Sequence, residues 1–292
     1  MKLERSSGTL LHITSLPGKY GIGTIGTEAK EFAGRLRDAG MKYWQILPIG
    51  PVDAKLDYSP YASTSAFAGN WHFISLEKLA EEPWFSGDIK PFPAGEGYSV
   101  HFEDVIGHKL PILEKACADF FSKASDKDLA SYDKFCESEG YWLEDFALFS
   151  AIAGKTGTTE WLEWDKDTSM RRPEALKLWS KKLAGEIRFH IFLQFLFFRQ
   201  WADFRKECMR LGIEIIGDIP IYVTMESADA WANPEILLLD DETRRPLSVA
   251  GVPPDYFSDT GQRWGNPLYR WKQGTVLSAD TFNWWARRIS HL

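Results

Sequence analysis

Short apolar runs alternate with an amphipathic helical pattern at the start of the chain. The runs Thr9–Ile13 and Tyr43–Leu47 are each stopped by proline and glycine, which is typical of buried strands. Between them, the apolar positions of Thr27–Ala39 share one helical face, and Gly40 stands where a helix end favours glycine. A strand, a helix and a second strand in so short a stretch predict a right-handed parallel βαβ unit.

A third apolar run, Ile213–Asp218, predicts the next strand, and it arrives only after a long, mostly helical segment. Helical patterns in that segment cover 110–121, 129–136, 141–152 and 186–211. A Pro/Gly-rich loop opens the segment, with Pro83, Gly87, Pro91, Pro93, Gly95 and Gly97. An amphipathic helix around 282–289 follows the third strand.

These patterns divide the chain into three parts. Residues 1–50 contain the first two strands, and residues 51–212 contain a loop and the helical insertion. Residues 213–292 contain the third strand, a long loop and the last helix. A length of 292 residues could hold one α/β barrel, but a closed barrel needs eight strands and only three are predicted. We therefore expect the start of a larger fold.

Composition restricts the classes of function. A net charge of −7 disfavours binding to nucleic acid, and the most apolar stretch, 187–198, is too short to span a membrane. Cys117, Cys136 and Cys208 are odd in number and have no metal-type spacing, which favours a reducing, cytoplasmic location. No metal constellation is present, and we expect no cofactor. Aromatic residues make up 14% of the chain, more than a core of this size needs.

A glycine motif, Gly21–Gly26, has the G-x-G-x-x-G spacing of dinucleotide sites. In such sites the first glycine leaves the strand directly and a carboxylate ends the second strand. Here seven residues, 14–20, separate the first predicted strand from Gly21, and Leu47-Pro48 ends the second strand without a carboxylate. A glycine turn at the start of a helix is the better interpretation, with a nucleotide-dependent enzyme as the alternative.

Two predicted strands are followed by candidate binding residues. The loop at 57–70, with Ser59 and Tyr61, interleaves hydroxyl groups with aromatic rings, which suits a sugar; an ordinary Ser/Pro loop explains it equally well. Asp218 ends the third strand, where a carboxylate is a candidate for catalysis or ligand binding, or else caps a helix or pairs with an arginine.

The loop at 252–269 contains two carboxylates and four aromatic residues. Loops of this length in compact domains are functional or disordered, and the aromatic content argues against disorder.

Several stretches, in order along the chain, resemble the amylomaltases, the bacterial and plastid 4-α-glucanotransferases related to the α-amylases. The stretches are Ser15–Gly18, Tyr43–Pro48, Ser59–Tyr61, Ser65–Asn70, Gly217–Val223 and Pro253–Tyr269. The resemblance implies a (β/α)8 TIM barrel of the α-amylase type. Only its first three strands are present here, with a large, mostly helical insertion between strands 2 and 3.

That family transfers an α-1,4-glucan segment to the 4-hydroxyl of another glucan or glucose by a retaining double displacement. Such chemistry requires two carboxyl groups about 5–5.5 Å apart. The resemblance implies α-1,4-glucans as donor and acceptor, without nucleic acid, membrane or cofactor. The alternatives are an α-amylase-type glycoside hydrolase and a non-catalytic α-glucan-binding protein.

The resemblance also assigns substrate-binding residues. Ser59 and Tyr61 lie near the donor sugar, and Asp218 bonds to the same ring. Asp255, Tyr256, Phe257 and Trp264 belong to a loop over the glucan. The family often has a Gly-Tyr-Gly-type stretch before its Ser-Pro-Tyr, whereas this chain reads Asp53–Tyr58 there, so no outer aromatic sugar contact is assigned to that stretch.

No catalytic residue is assigned within the chain, because the family's Arg-[hydrophobic]-Asp-His-Phe motif is missing from it. We expect the nucleophilic Asp, the acid/base Glu and a third carboxylate beyond Leu292. We also expect the 292-residue polypeptide alone to be inactive and poorly folded, since an unclosed barrel leaves a sheet edge unpaired.

Overall fold

The structure is a computed structural model that describes residues 5–92 and 99–291. Three residues of the predicted Pro/Gly-rich loop, Pro93, Gly95 and Gly97, lie outside the described residues, as does Leu292. The described chain divides into two compact units. The first consists of Met1–Ile49, Gly69–Tyr141 and Phe189–Ile219, and the second of Gly50–Ala68, Trp142–Arg188 and Pro220–Leu292.

A three-stranded parallel sheet lies in the first unit, as the apolar runs predict. Strands β1 (Gly8–Leu10), β2 (Tyr43–Gln45) and β3 (Glu214–Ile216) are ordered β1-β2-β3, and Trp44 of β2 pairs with Thr9 and Ile215. The Trp44 side chain is fully buried, and its indole N–H donates to the Leu11 carbonyl at 2.8 Å. The central strand is therefore fixed by its side chain as well as by its ladder.

The helices and the remaining strands have the following bounds. The helices are α1 (Thr27–Asp38), α2 (Leu76–Ala80), α3 (Phe102–Lys123), α4 (Asp126–Thr156), α5 (Lys166–Ser169), α6 (Pro173–Lys182), α7 (Ala184–Arg210), α8 (Ala228–Ala232) and α9 (Ala279–His291). The strands are β4 (Val249–Val252), β5 (Gln262–Pro267), β6 (Lys272–Gln273) and β7 (Val276–Leu277). The segment between β2 and β3 is thus mostly helical, as predicted, and α1, α7 and α9 lie where the patterns place them.

Three sequence-based expectations about elements are wrong. Ile13 belongs to a 3₁₀ turn, Ile13–Ser15, and β1 ends at Leu10. The helices predicted at 129–136 and 141–152 are one helix, α4, because a single glycine, Gly140, costs a helix only about 1 kcal/mol. The loop expected at 252–269 contains β5, which pairs antiparallel with β4.

Two buried glutamines of α7 hold the end of the loop at 57–70 and the segment that follows it. Gln194 accepts from the Gly69 amide at 2.7 Å and donates to the Gly69 carbonyl at 3.0 Å. Gln200 makes the same pair of bonds with Ser75, at 2.7 and 3.1 Å. A Cβ atom at Gly69 would lie 2.0 Å from the Phe197 ring, so only glycine fits against this helix. None of the helices described is long and apolar enough to cross a membrane.

Candidate functional site

The glycine motif Gly21–Gly26 is a packed turn at the start of α1. Gly26 is the N-cap residue, and the amides of Gly23 and Ile25 donate to the carbonyls of Thr14 (3.3 Å) and Phe73 (2.9 Å). A Cβ atom at Gly23 would lie 1.9 Å from the Ile13 carbonyl oxygen. The motif is therefore a turn at the start of a helix, as interpreted from the sequence, and two of its amides already have backbone acceptors.

Backbone strain marks the approach to Ser59 in the second unit. Asp57 and Tyr58 have φ values of 52° each, in the left-handed region that favours glycine. The resemblance expects glycine in this stretch, so this chain adopts the turn at a steric cost. Strained residues of this kind concentrate at functional sites. Directly after them, the Ser59 hydroxyl accepts from the Tyr61 amide at 3.4 Å, and the Tyr61 ring is 49% exposed.

The other hydroxyl groups of this loop support the backbone. The Ser63 hydroxyl donates to the Pro51 carbonyl at 2.7 Å. A carboxylate oxygen of Asp229 accepts from the Ala66 amide at 2.7 Å. Asp229 is buried, which raises its pKa, while the Ala66 amide and the nearby Arg288 guanidinium oppose that rise. The segment after Tyr61 is therefore held by hydrogen bonds to its backbone, and the Ser63 hydroxyl of this loop serves the structure of the loop.

The hairpin of β4 and β5 ends in a tip that presents two aromatic rings. One carboxylate oxygen of Asp255 accepts from the amides of Phe257 (2.9 Å) and Ser258 (3.0 Å), closing an Asx-type turn. Tyr256 is 96% exposed and Phe257 is 85% exposed, with their rings perpendicular and 5.6 Å apart. The Asp255 carboxylate shapes this tip, so it contributes to the site by holding the rings in place.

Trp264 lies on β5 and is half exposed. Its ring contacts Tyr222 at 6.4 Å, and Tyr222 in turn stacks on the buried Tyr269 at 6.2 Å. Tyr222 therefore supports Trp264 from the segment that follows the third strand. Sequence reasoning did not select Tyr222, although it lies in the Gly217–Val223 stretch that carries the resemblance.

The residues after Tyr222 connect the hairpin to the Tyr61 segment. The side-chain amide of Asn266 on β5 donates to the Val223 carbonyl at 3.0 Å. The Thr224 hydroxyl donates to the Ser63 carbonyl at 3.2 Å. Adjacent residues of one backbone segment thus hold both predicted site loops of the second unit. Of the predicted residues, Ser59, Tyr61, Asp255, Tyr256, Phe257 and Trp264 share this unit.

Asp218 belongs to the first unit, where it is half buried just after β3. Trp231 and Trp284 are buried in the second unit. Within 5–92 and 99–291, no group of three histidine, cysteine or acidic side chains could hold a metal ion. The sequence does not single out Asp229, because an acidic residue in the first turn of a helix is ordinary.

A parallel α/β sheet combined with a hairpin that exposes aromatic rings defines an α/β protein with a surface suited to flat, apolar ligand faces. Residues 11–292 match the family described as 4-alpha-glucanotransferase (Glyco_hydro_77). The chain belongs to that family.

The 4-alpha-glucanotransferase of Thermus thermophilus is 47% identical over 289 residues, which cover 99% of this chain and 56% of the relative. That of Aquifex aeolicus is 44% identical, with 98% and 56% covered. The chain spans about half the length of these relatives.

Among solved structures, the amylomaltase from Streptococcus agalactiae in complex with acarbose has a TM-score of 0.89 and 39% identity. The match covers 98% of this chain and 57% of that one. The three parallel strands and the helical insertion therefore agree with the fold of an amylomaltase.

Proposed function

We propose that this chain provides the sugar-binding part of a cytoplasmic 4-α-glucanotransferase built on a (β/α)8 barrel. In this proposal β1–β3 are the first three barrel strands, and the domain division at 1–50, 51–212 and 213–292 follows from that assignment. The proposal is supported by family membership over 11–292 and by the exposed rings of the hairpin tip. The free cysteines fit a reducing compartment.

The donor and acceptor in this proposal are α-1,4-glucans. Tyr61 offers a ring face to the donor sugar, with Ser59 beside it, and Asp218 hydrogen-bonds a sugar hydroxyl. Tyr256, Phe257 and Trp264 cover the glucan with apolar faces, and Asp255 fixes the tip that carries two of them. Because the S. agalactiae relative was solved with acarbose, we expect acarbose to bind here too.

In this proposal the catalytic carboxylates are not among these 292 residues, since the family motif of the nucleophile does not occur in them. The chain alone should then bind glucans without reacting. Glucose release from maltotriose by the 292-residue polypeptide would overturn this assignment.

Once circular dichroism has established that the 292-residue chain is folded, binding is tested by intrinsic fluorescence, with titrations of maltoheptaose and, in parallel, cellohexaose. Tyr256→Ala, Phe257→Ala and Trp264→Ala should each weaken maltoheptaose binding about tenfold, as the loss of one stacked ring costs roughly 1–2 kcal/mol. Phe282→Ala is the matched control, because Phe282 is 66% exposed on α9, outside the hairpin. Equal effects of all four variants would contradict the site.

Activity is tested on the complete gene product with maltotriose. A ladder of longer maltodextrins supports transfer. Hydrolysis without longer products supports the α-amylase-type alternative, and binding without any product supports a non-catalytic glucan-binding protein.

A further inference from the structure

A cavity of about 220 Å³ lies in the second unit, away from the residues of the proposed glucan site. Its lining includes Trp161, Ser169, Arg171, Trp231, Glu235 and Arg244. Two arginines in one small cavity are unusual, because a guanidinium always carries its charge and is costly to desolvate without a partner.

Arg171 follows α5 in a conformation that other helix ends of this chain give to glycine. Its amide donates to the Thr168 carbonyl at 3.1 Å, and the next amide donates to the Asp167 carbonyl at 2.8 Å, which is a Schellman motif. At α1 and α7 the same motif has Gly40 and Gly212 in the left-handed position. Arg171 has a φ of 54°, so the arginine is retained against local backbone preference.

Arg244 is also left-handed, with a φ of 57°, in the turn that begins at Asp240. Its amide donates to the Asp240 carbonyl at 2.9 Å, and an Asp240 carboxylate oxygen accepts from the Thr243 amide at 2.8 Å. Four non-glycine residues are left-handed in the described chain, and two of them are the arginines that line this cavity. Strain of this kind persists where a site requires it.

The Arg171 guanidinium is fixed but incompletely bonded. It lies 4.2 Å from the centre of the Trp231 ring, and its Nη2 donates to Asp145 at 2.5 Å. Its Nη1 is buried and has no acceptor among the residues that the structure describes. Arg244 forms no ion pair within 5–92 and 99–291.

The tryptophan side chains form apolar walls, and the polar groups of the lining are two guanidinium groups, the Ser169 hydroxyl and the Glu235 carboxylate. Burial raises the pKa of Glu235, and the charges of Arg171 and Arg244 oppose that rise. The indole N–H of Trp161 donates to the Met225 carbonyl, and that of Trp231 donates to the Thr168 carbonyl at 3.1 Å. Arg171 covers one face of Trp231, and Trp161 and Trp231 are each only 1% exposed, so the cavity offers no free ring for sugar stacking. Its polar chemistry suits an anion with several oxygens.

We propose that this cavity binds the phosphate group of a small molecule, with the guanidinium groups of Arg171 and Arg244 as donors. Arginine binds phosphate through charge-assisted hydrogen bonds in a planar fork, and the cavity volume exceeds that of phosphate alone. The Ser169 hydroxyl is available to bond the remainder of an organic phosphate. The site is separate from the proposed glucan site, so either can fail without the other.

The test is isothermal titration with inorganic phosphate at constant ionic strength, on the 292-residue chain once circular dichroism has established that it is folded. We expect one saturable site that Arg171→Ala and Arg244→Gln weaken about tenfold or more, the loss of a charge-assisted bond. Arg172→Ala and Arg245→Gln remove the same charge from exposed neighbours and should leave the affinity within about twofold. Far-UV circular dichroism checks that each variant is folded. If Arg171→Ala does not fold, Arg244→Gln alone tests the contribution of the arginines.

Further arms use glucose 6-phosphate and glucose. Tighter binding of glucose 6-phosphate than of phosphate identifies an organic phosphate as the occupant, and equal binding identifies free phosphate. Glu235→Gln removes a negative charge from the lining and should tighten phosphate binding about threefold. The proposal is overturned if titration gives no saturable heat, or if the control variants lose as much phosphate affinity as the arginine variants of the cavity. It is also overturned if Glu235→Gln binds phosphate more weakly, or if neutral glucose binds.

Discussion

Replacing Gln194 by leucine tests how the segment after the Tyr61 loop is held. The Gln194 amide bonds both backbone groups of Gly69, and it is buried at 2% exposure. Leucine has a similar volume and fills the same space on α7, so the change removes two hydrogen bonds with little change in packing. Both backbone groups of Gly69 then lose their partner inside the unit.

The expected cost follows from those two groups. A buried donor or acceptor without a partner costs about 1–3 kcal/mol, so the pair costs about 2–6 kcal/mol, and the apolar leucine side chain recovers about 1 kcal/mol. A net loss of about 3 kcal/mol is a large share of the 5–15 kcal/mol that stabilises an ordinary protein. With a urea m-value of about 3 kcal/mol/M, the unfolding midpoint should fall by about 1 M.

Urea unfolding gives the midpoint, and hydrogen exchange by mass spectrometry reports the Gly69 amide directly. Gln200→Leu breaks the equivalent bonds to Ser75 and should cost about as much. The two glutamines are six residues apart on the helix, about 9 Å, so the double variant should be additive within about 0.5 kcal/mol. Gln273→Leu, on the exposed strand β6, is the control. A midpoint for Gln194→Leu within about 0.2 M of the wild type would refute the reasoning.

Three further predictions concern glycine, lysine and cysteine. Gly23→Ala should lower the free energy of unfolding by about 3 kcal/mol, because the added Cβ atom clashes with the Ile13 carbonyl oxygen. Gly34→Ala in α1 should raise the free energy of unfolding by about 0.5–1 kcal/mol, because its Cβ atom meets no atom within 4 Å. Equal melting temperatures of the two variants would contradict this. Burial lowers the pKa of Lys109 to about 7, so the folded state releases a proton that the unfolded chain keeps up to about 10.5. The free energy of unfolding should therefore rise between pH 7 and 10, and urea titrations of Lys109→Met should lose that slope. Burial raises the pKa of the Cys208 thiol to about 12, so iodoacetamide should modify half-buried Cys136 first, and peptide mass spectra with the reverse order would contradict this.

The elements that sequence reasoning finds are those with a strong local signal. The central strand with Trp44 is an apolar run between breakers. Gly40 lies just beyond the C-cap of α1, where its φ of 72° favours glycine. The division of 129–152 into two helices fails because Gly140 is a weak breaker inside a helix that tertiary packing supports. Strand β5 was missed because its residues are mostly exposed and polar, and only pairing with β4 makes it a strand.

The candidate site likewise contains some residues that the sequence reveals and others that it does not. Tyr256, Phe257 and Trp264 stand out in sequence because a loop rich in aromatic residues is unusual, and the structure shows all three exposed. Ser63 and Asp229 do not stand out, since their partners lie far along the chain, at Pro51 and Ala66. Long-range hydrogen bonds leave no local periodicity, so sequence patterns do not reveal which polar groups bind ligand and which hold the backbone.

The aromatic surplus of the composition has two physical origins. Trp44, Phe120, Phe192 and Phe204 are fully buried, where each ring contributes to stability through the surface that it removes from water. Tyr256 and Phe257 remain almost wholly exposed, although burying such rings would be favourable by about 2 kcal/mol each. A turn fixed by a carboxylate holds them there, so the chain forgoes stability at the tip. That is the arrangement expected of a surface completed by a ligand.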